Sequence, residues 1–321
     1  MSHIQCVSGI AVQNTKRRRP AKRVVVALGA LVALTALGAG LSVWRDVTAF
    51  EASMRKVYAR PVPLVSRSAE PGVLAHGKQL AESVASCTAA ACHGVDLAGG
   101  RTFNIGPLAT ISGPNISGAA LASYTDGELA RLIQRGVKRN GRGVLFMPVQ
   151  NFSWLPPTDI SAIVSYLRTV PGVQRPNGPL RASLFGKVLD RHERVILDVA
   201  RRVESEPAPS PIQAQANASA SYGELLSRAC SMCHGQHLSG GAIPGAPSST
   251  PVPSNLTSDA SGLRDWTFDD FKRLLTTRRR KNGKALDPFM PTDAFAKYDS
   301  VQMHALWSYL RSIPPRRLGQ R

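Results

Sequence analysis

Acid is scarce in this sequence. Twenty-one Asp and Glu stand against 40 Lys and Arg, giving a formal net charge of +19 over 321 residues. No acid precedes residue 24, where Lys16, Arg17, Arg18, Arg19, Lys22 and Arg23 supply +6 and leave +13 for the remainder. Such an excess fits a soluble surface that prefers acidic partners. It does not point to nucleic acid, because no helix-turn-helix, zinc-finger or RNA-binding pattern accompanies it. Strand-like alternation is also scarce. No Ser/His or Asp/Glu grouping forms a recognisable catalytic motif, so neither a nucleophile nor a general base stands out. At this length there is room for about two domains of ordinary size.

Charge of either sign disappears altogether from Val24 to Trp44, "VVVALGALVALTALGAGLSVW", a run of 21 residues. At 1.5 Å per residue a helix over this run covers about 30 Å, the thickness of a hydrocarbon core. Cations before the run place residues 1–23 in the cytoplasm and the rest outside. A cleavable signal peptide is the alternative, since "ALGAG" offers small residues near a cleavage site. The run is longer than an ordinary signal core, and the expectation is an uncleaved transmembrane anchor over 24–44.

Only five cysteines occur. Cys6 precedes the apolar run and reads as an unremarkable thiol. The others form two local pairs, Cys87/Cys92 and Cys230/Cys233, each followed directly by a histidine, His93 and His234. Disulfides are permitted in an exported protein, but they give no reason for that histidine. "CSMCH", Cys230 to His234, is an uninterrupted C-x-x-C-H, the pattern in which two thiols bond the haem vinyl groups and the histidine ligates iron. A zinc site needs two further ligands at matching spacing, and no second pair follows. "CTAAACH", Cys87 to His93, carries two residues too many between its cysteines. Two readings stay open: a bulged turn in which Cys87 still bonds its vinyl group, or attachment through Cys92 alone with Cys87 a free thiol.

The chain repeats itself. "ACHGVDLAGG" parallels "MCHGQHLSGG", "GPNIS" parallels "PSNLT", and "YTDGELARLIQRGVKRNGRGVLFMP" parallels "WTFDDFKRLLTTRRRKNGKALDPFMP". "SYLRTVPG" and "SYLRSIPP" close the two copies, each of about a hundred residues. Within each, apolar spacing predicts helices: one leading into the attachment site, one opening at Thr125 or Thr267, and a last one ending at a proline. The class is therefore all-α. Met147 and Met290 follow their histidines by nearly equal intervals, each within "FMP". A repeated Met-Pro at matching distance fits a soft thioether ligand on the far side of iron better than core filling. Met303, His76, His192, His237 and His304 lack counterparts at matching positions and read as packing or surface residues; Met54 lies outside both copies.

These motifs, C-x-x-C-H-G, P-N-[IL]-[ST], M-P and a closing Y-L-R-S-x-P-P helix, resemble class I cytochrome c domains. They are most similar to those in multi-haem cytochrome c subunits of membrane-bound alcohol and sugar dehydrogenases. The resemblance implies two tandem cytochrome c domains, 72–175 and 221–316, behind the N-terminal helix. It implies two covalently bound haem c groups, held by Cys87, Cys92, His93 and Met147 and by Cys230, Cys233, His234 and Met290. The irons would be ligated by His93/Met147 and His234/Met290. It further implies electron transfer rather than catalysis, with the haem domains in the periplasm at the bacterial inner membrane. The family's subunits commonly carry three such domains and a C-terminal anchor, whereas this chain shows two and an N-terminal one.

Residues 176–220 hold an amphipathic helix, with Leu184, Phe185, Val188, Leu189, Val195, Ile196, Val199 and Val203 on one face, and then a Pro/Ala/Ser spacer that sets no interdomain angle. Packing on its own domain is the expected use of that helix, and docking on a partner subunit is the alternative. The turns Lys138–Gly143 and Arg278–Lys284 carry Asn-Gly tips and cations that suit a redox partner with an acidic docking surface. Dehydrogenase and oxidase complexes are the candidate settings. The rival readings are a dihaem peroxidase, a thiosulfate-oxidising cytochrome, and an obligate cytochrome subunit of a dehydrogenase.

Overall fold

The computed structural model describes residues 20–193, 197–205, 216–244, 246 and 248–321. Cys6, the basic run up to Arg19, Val195, Ile196 and most of the Pro/Ala/Ser spacer lie outside the described residues. The chain divides into two bodies, 1–48 and 49–321. Helix α1 runs over Pro20–Arg55. It is the one helix among the described residues long and apolar enough to cross a membrane, with a mean hydropathy of 2.4 over its most apolar window and none of that window buried.

The first repeat is built from α2 (Pro71–Glu82), α3 (Gly118–Leu121), α4 (Asp126–Arg135) and α5 (Pro157–Leu167). The region after it forms α6 (Leu184–Arg191) and α7 (Val199–Ser205), and the second repeat forms α8 (Ala220–His234), α9 (Phe268–Thr277), α10 (Thr292–Phe295) and α11 (Ser300–Ser312). Local chemistry sets the helix starts. Thr125 and Glu128 form a reciprocal capping box on α4, and Thr267 and Asp270 repeat it on α9; each such cap contributes about 1 kcal/mol. In both repeats the first and last helices cross at a glycine. A Cβ on Gly77 would stand 2.0 Å from the Ala162 carbonyl oxygen, and one on Gly223 1.9 Å from that of Ala305.

The expected all-α class is met by a mostly helical structure, with one addition. Three short strands, β1 (Phe103–Ile105), β2 (Ala109–Ile111) and β3 (Leu180–Ala182), form an antiparallel sheet in that order. Phe103 pairs with Ile111, and Ala109 with Ala182. Three-residue strands are too short to display a period-2 pattern, so their pairing shows only in tertiary context.

The helix expected across 184–203 is broken in two. Glu193 has a left-handed φ of 57°. The fully buried Asp190 carboxylate accepts the amides of Leu197 at 2.7 Å and Asp198 at 3.1 Å, which turns the chain back on itself. Leu197, Val199 and Val203 are buried, whereas Leu184 and Phe185 stay exposed.

Both repeats contribute to a single apolar cluster, from Leu80, Leu129, Phe152 and Ile163 to Leu226, Phe271, Leu306 and Leu310. The spacer therefore does not leave the interdomain angle open. Trp154 meets Tyr222 edge-to-face with centroids 5.7 Å apart, an arrangement that contributes about 1 kcal/mol beyond burial. Gln79 Nε2 donates to Gln302 Oε1 at 2.8 Å and to the Lys297 carbonyl at 3.1 Å. Lys297 also pairs with Glu82 at 3.2 Å.

Candidate haem-binding sites

The second repeat presents its motif on the last turn of α8. Ser219 caps the helix by accepting the Tyr222 amide, and His234 is its final residue. Cys230 faces the core, Cys233 is half-buried, and His234 is 5% exposed. The His234 Nδ1 lies 2.7 Å from the Ser254 carbonyl oxygen. A carbonyl only accepts, so Nδ1 carries the proton and Nε2 keeps its lone pair. This is the tautomer and orientation a ligating imidazole needs. Burial pushes the His234 pKa down, the Ser254 bond opposes that, and the ring is neutral.

The first repeat reaches the same end by another path. From Gly77 to His93 is 16 residues, whereas from Gly223 to His234 is 11. The surplus is taken up after α2 in consecutive turns, with Ser86 at a positive φ of 53°. Cys92 donates its amide to Ala89 at 2.8 Å, and His93 donates to the Cys87 carbonyl at 3.0 Å. The bulge returns Cys87 to the core at 9% exposure, close to the 7% of Cys230, and leaves Cys92 half-buried like Cys233. His93 Nδ1 meets the Pro114 carbonyl oxygen at 2.7 Å, and burial again lowers its pKa.

Beyond the histidines several bonds recur in both repeats. Gly99 donates to His93 at 3.0 Å and Gly240 to His234 at 2.9 Å; Ile116 donates to Leu97 and Leu256 to Leu238, both at 2.8 Å. Asn115 and Asn255 stabilise the carbonyl-bearing loop. Each side-chain oxygen accepts the amide two residues on, and each Nδ2 reaches the closing segment, at the Val173 carbonyl (2.8 Å) and the Arg316 carbonyl (2.7 Å).

Met147 and Met290 are half-buried against the shared apolar cluster. Pro148 (φ −78°, ψ 60°) and Pro291 (φ −80°, ψ 69°) hold each methionine in a tight three-residue turn, closed by Val149 N to Met147 O at 2.7 Å and Thr292 N to Met290 O at 2.9 Å. The other candidates lie elsewhere. Met303 is in the core; His304 bonds the Ser300 carbonyl and stacks on Phe268; His76 pairs with Asp159; His237 is exposed. Met54 packs in a small cluster with Phe50, Leu145 and Phe146, which joins it to the first repeat.

The donor set fits haem c. Burial pushes the Cys87 and Cys230 thiols up to about 12 and raises those of Cys92 and Cys233, so all four are neutral thiols at neutral pH. Neutral thiols disfavour a thiolate metal centre. No grouping of three or more His, Cys, Asp or Glu able to hold a bare metal ion occurs among the described residues. Three contributors escaped the sequence reading. The crossing glycines looked like ordinary helix residues. Asn115 and Asn255 lay in the recognised repeat with no role assigned. Arg321, whose guanidinium donates to the Cys233 carbonyl at 2.6 Å and the Gly241 carbonyl at 2.7 Å, has no motif around it.

The model of the cytochrome c family matches residues 74–171 and 220–314. The gluconate 2-dehydrogenase cytochrome c subunit of Pantoea cypripedii is 37% identical over 94 residues, 27% of this chain and 21% of that protein. The fructose dehydrogenase cytochrome subunit of Gluconobacter japonicus is 30% identical over 124 residues, 36% of this chain and 26% of that protein. The cytochrome c subunit of the quinone alcohol dehydrogenase of Gluconobacter oxydans is 31% identical over 94 residues, 27% of this chain and 20% of that protein. The matches thus span about a fifth to a quarter of each relative's length. With both repeats matched over more than half of its length, the chain belongs to the cytochrome c family.

Proposed function

We propose that this chain is a membrane-anchored dihaem electron carrier, with one haem c in each of the domains 72–175 and 221–316. The observation that carries the reading is the duplicated histidine geometry: each ring is bonded at Nδ1 to a carbonyl 2.7 Å away, which leaves the Nε2 lone pair to face a ligand. Haem c, when bound, supplies reversible one-electron storage at its iron. The chain's own residues prepare for that group. Cys230 and Cys233 offer two thiols on one helical turn, and Cys87 and Cys92 offer two across a bulge. His93 and His234 hold their Nδ1 protons on carbonyl oxygens. Met147 and Met290 are fixed by the proline turns behind them, and the shared apolar cluster excludes water. Matched burial of Cys87 and Cys230 supports attachment through both cysteines in each repeat. The apolar helix α1 supports an anchor at the inner membrane, with the domains on the periplasmic side.

The relatives are cytochrome subunits of gluconate, fructose and alcohol dehydrogenases. That favours a second, compatible reading, in which the chain receives electrons as a subunit of a dehydrogenase complex. Copurification of a large catalytic subunit is its test.

The test of the main reading is intact mass under denaturing conditions, after alkylation of free thiols, on protein matured in a host that attaches haem c. Two haems with alkylation at Cys6 alone is the expected result. Added alkylation at Cys87 would mean a single thioether in the first repeat, and one haem would overturn the dihaem reading.

A further inference from the structure

The segments that carry the two methionines differ sharply in access. In the second repeat Arg279, Lys281, Asn282, Gly283, Lys284, Ala285, Asp287, Phe289 and Pro291 are all exposed, and Phe289 keeps 51% of its surface. In the first repeat the matching stretch is partly covered by other parts of the same chain, with Gly141 and Gly143 buried and Arg139, Asn140 and Arg142 still exposed. Tyr58 donates its amide to Gly141 at 2.9 Å, and Val57 bridges Arg142. Phe146 donates to the Leu197 carbonyl at 2.9 Å, and Leu145 bridges Asp198. A Cβ on Gly143 would stand 2.9 Å from that of Ala200, and the Arg131 guanidinium bonds the Arg60 carbonyl. Residues 56–60 and 197–201 thus cover in the first repeat what no described segment covers in the second.

The open loop is also the more basic. Between residues 278 and 291 stand Arg278, Arg279, Arg280, Lys281 and Lys284 against one carboxylate, Asp287. Arg278 pairs with Asp293 and Lys281 with Asp270, while no ion pair engages Arg279, Arg280 or Lys284 among the described residues. An exposed aromatic ring beside unpaired cations is the composition of a docking surface for an acidic protein: a small apolar contact with a charged rim that speeds encounter. A partner seated there would stand against Met290 and the site behind it. On the first repeat, residues 56–60 and 197–201 narrow that approach from one side, and Phe146 is half-buried where Phe289 is exposed.

We propose that the loop 278–291 is the docking port for an acidic redox protein, so that exchange with soluble partners takes place at the second repeat and the first repeat is served through it. The proposal rests on the electron-carrier reading and adds which repeat faces the partner. The test uses the full haem-loaded chain in detergent and, as probe, the soluble domain of an acidic b-type cytochrome. One variant reverses charge at the port (Arg279→Glu, Arg280→Glu, Lys284→Glu), and a control does so on the matching turn of the first repeat (Lys138→Glu, Arg139→Glu, Arg142→Glu), two of whose cations are also exposed. Titration calorimetry reads binding, and stopped-flow mixing reads reduction of the chain by the reduced probe. The port variant is expected to bind at least tenfold more weakly and to lose the fall in rate with rising salt, while the control stays within twofold of the parent. Equal losses in both variants, or none in either, overturn the proposal. So does loss of probe binding on adding anionic phospholipid vesicles to the parent but not to the port variant, which would make the loop a lipid contact. Reduction of all three proteins by ascorbate separates the two levels: if the parent's haems do not cycle, it is the carrier reading that fails. Unchanged haem content and circular dichroism in each variant keep a folding defect from passing as a docking effect.

Discussion

The first repeat spends five more residues than the second between its helix crossing and its histidine, yet the two histidines, their carbonyl partners and the loops beyond them coincide to about 0.1 Å in bond length. The contrast separates what the site fixes from what it leaves free. The ring nitrogen, the asparagine that braces the carbonyl loop and the glycine crossing recur in both repeats. The route by which the cysteines arrive varies: a helical turn in one repeat, a chain of bends in the other. Sequence drift has accumulated where the backbone can absorb it without moving the imidazole.

The largest expected effect tests the shared part. Gly77→Ala and Gly223→Ala each drive a methyl into backbone, onto the Ala162 and Ala305 carbonyls. Each is expected to cost about 3 kcal/mol, measured by chemical denaturation. A marked difference between the two would mean that the repeats do not rely equally on this crossing.

A smaller effect lies at the contact between repeats. Burial, the first cause, pushes the Tyr222 phenol up to about 12, with a bond to Gln302 opposing it. Its folded pKa is thus above the unfolded 10, so the stabilisation it brings is fully present below pH 10 and fades as pH rises toward 12. The loss is about 3 kcal/mol over that window. Tyr222→Phe should lessen the alkaline loss by this share, leaving that of other raised phenols such as Tyr58 and Tyr298, seen as a flatter dependence of unfolding free energy on pH between 10 and 12. An unchanged slope would mean that the phenol is solvated in the folded protein.

The smallest effect sharpens a difference. Helix α4 ends at Gly136 with φ 64°, but α9 ends at Arg278 with φ 59°, a left-handed conformation that disfavours a side chain. Arg278→Gly is expected to raise the melting temperature, by about 1 kcal/mol of stabilisation, less the exposed pairing with Asp293 that it removes. Gly136→Ala should lower it by a similar amount. Both shifts are read by differential scanning calorimetry.

Much of this molecule was legible in its sequence because its signals are local. A C-x-x-C-H turn, a capping box or a Met-Pro pair is written within a few residues, and the duplication allowed each copy to check the other. What escaped is written across distance. The pairing of β2 with β3 joins residues some seventy positions apart. The cover over the first methionine loop comes from residues 56–60, which carry no motif, and from 197–201, within the amphipathic helix expected to pack on its own domain. The helix expected over 184–203 failed because an apolar period continues through a point where a buried carboxylate, Asp190, captures the backbone instead. The meeting of Trp154 with Tyr222 had no sequence signature, since each is an ordinary aromatic in its own element.

The common core has a kinetic meaning. Two carriers joined by a loose tether must find each other before each transfer, at an effective concentration set by tether length, in the millimolar range for short flexible links. With a haem in each repeat, as proposed, the search is already complete, so an electron passed from one to the other would move at a first-order rate that neither dilution nor the length of the spacer between α7 and α8 alters. Lengthening that spacer is thus a neutral change for the traffic within the chain, while loosening the Trp154–Tyr222 contact is not.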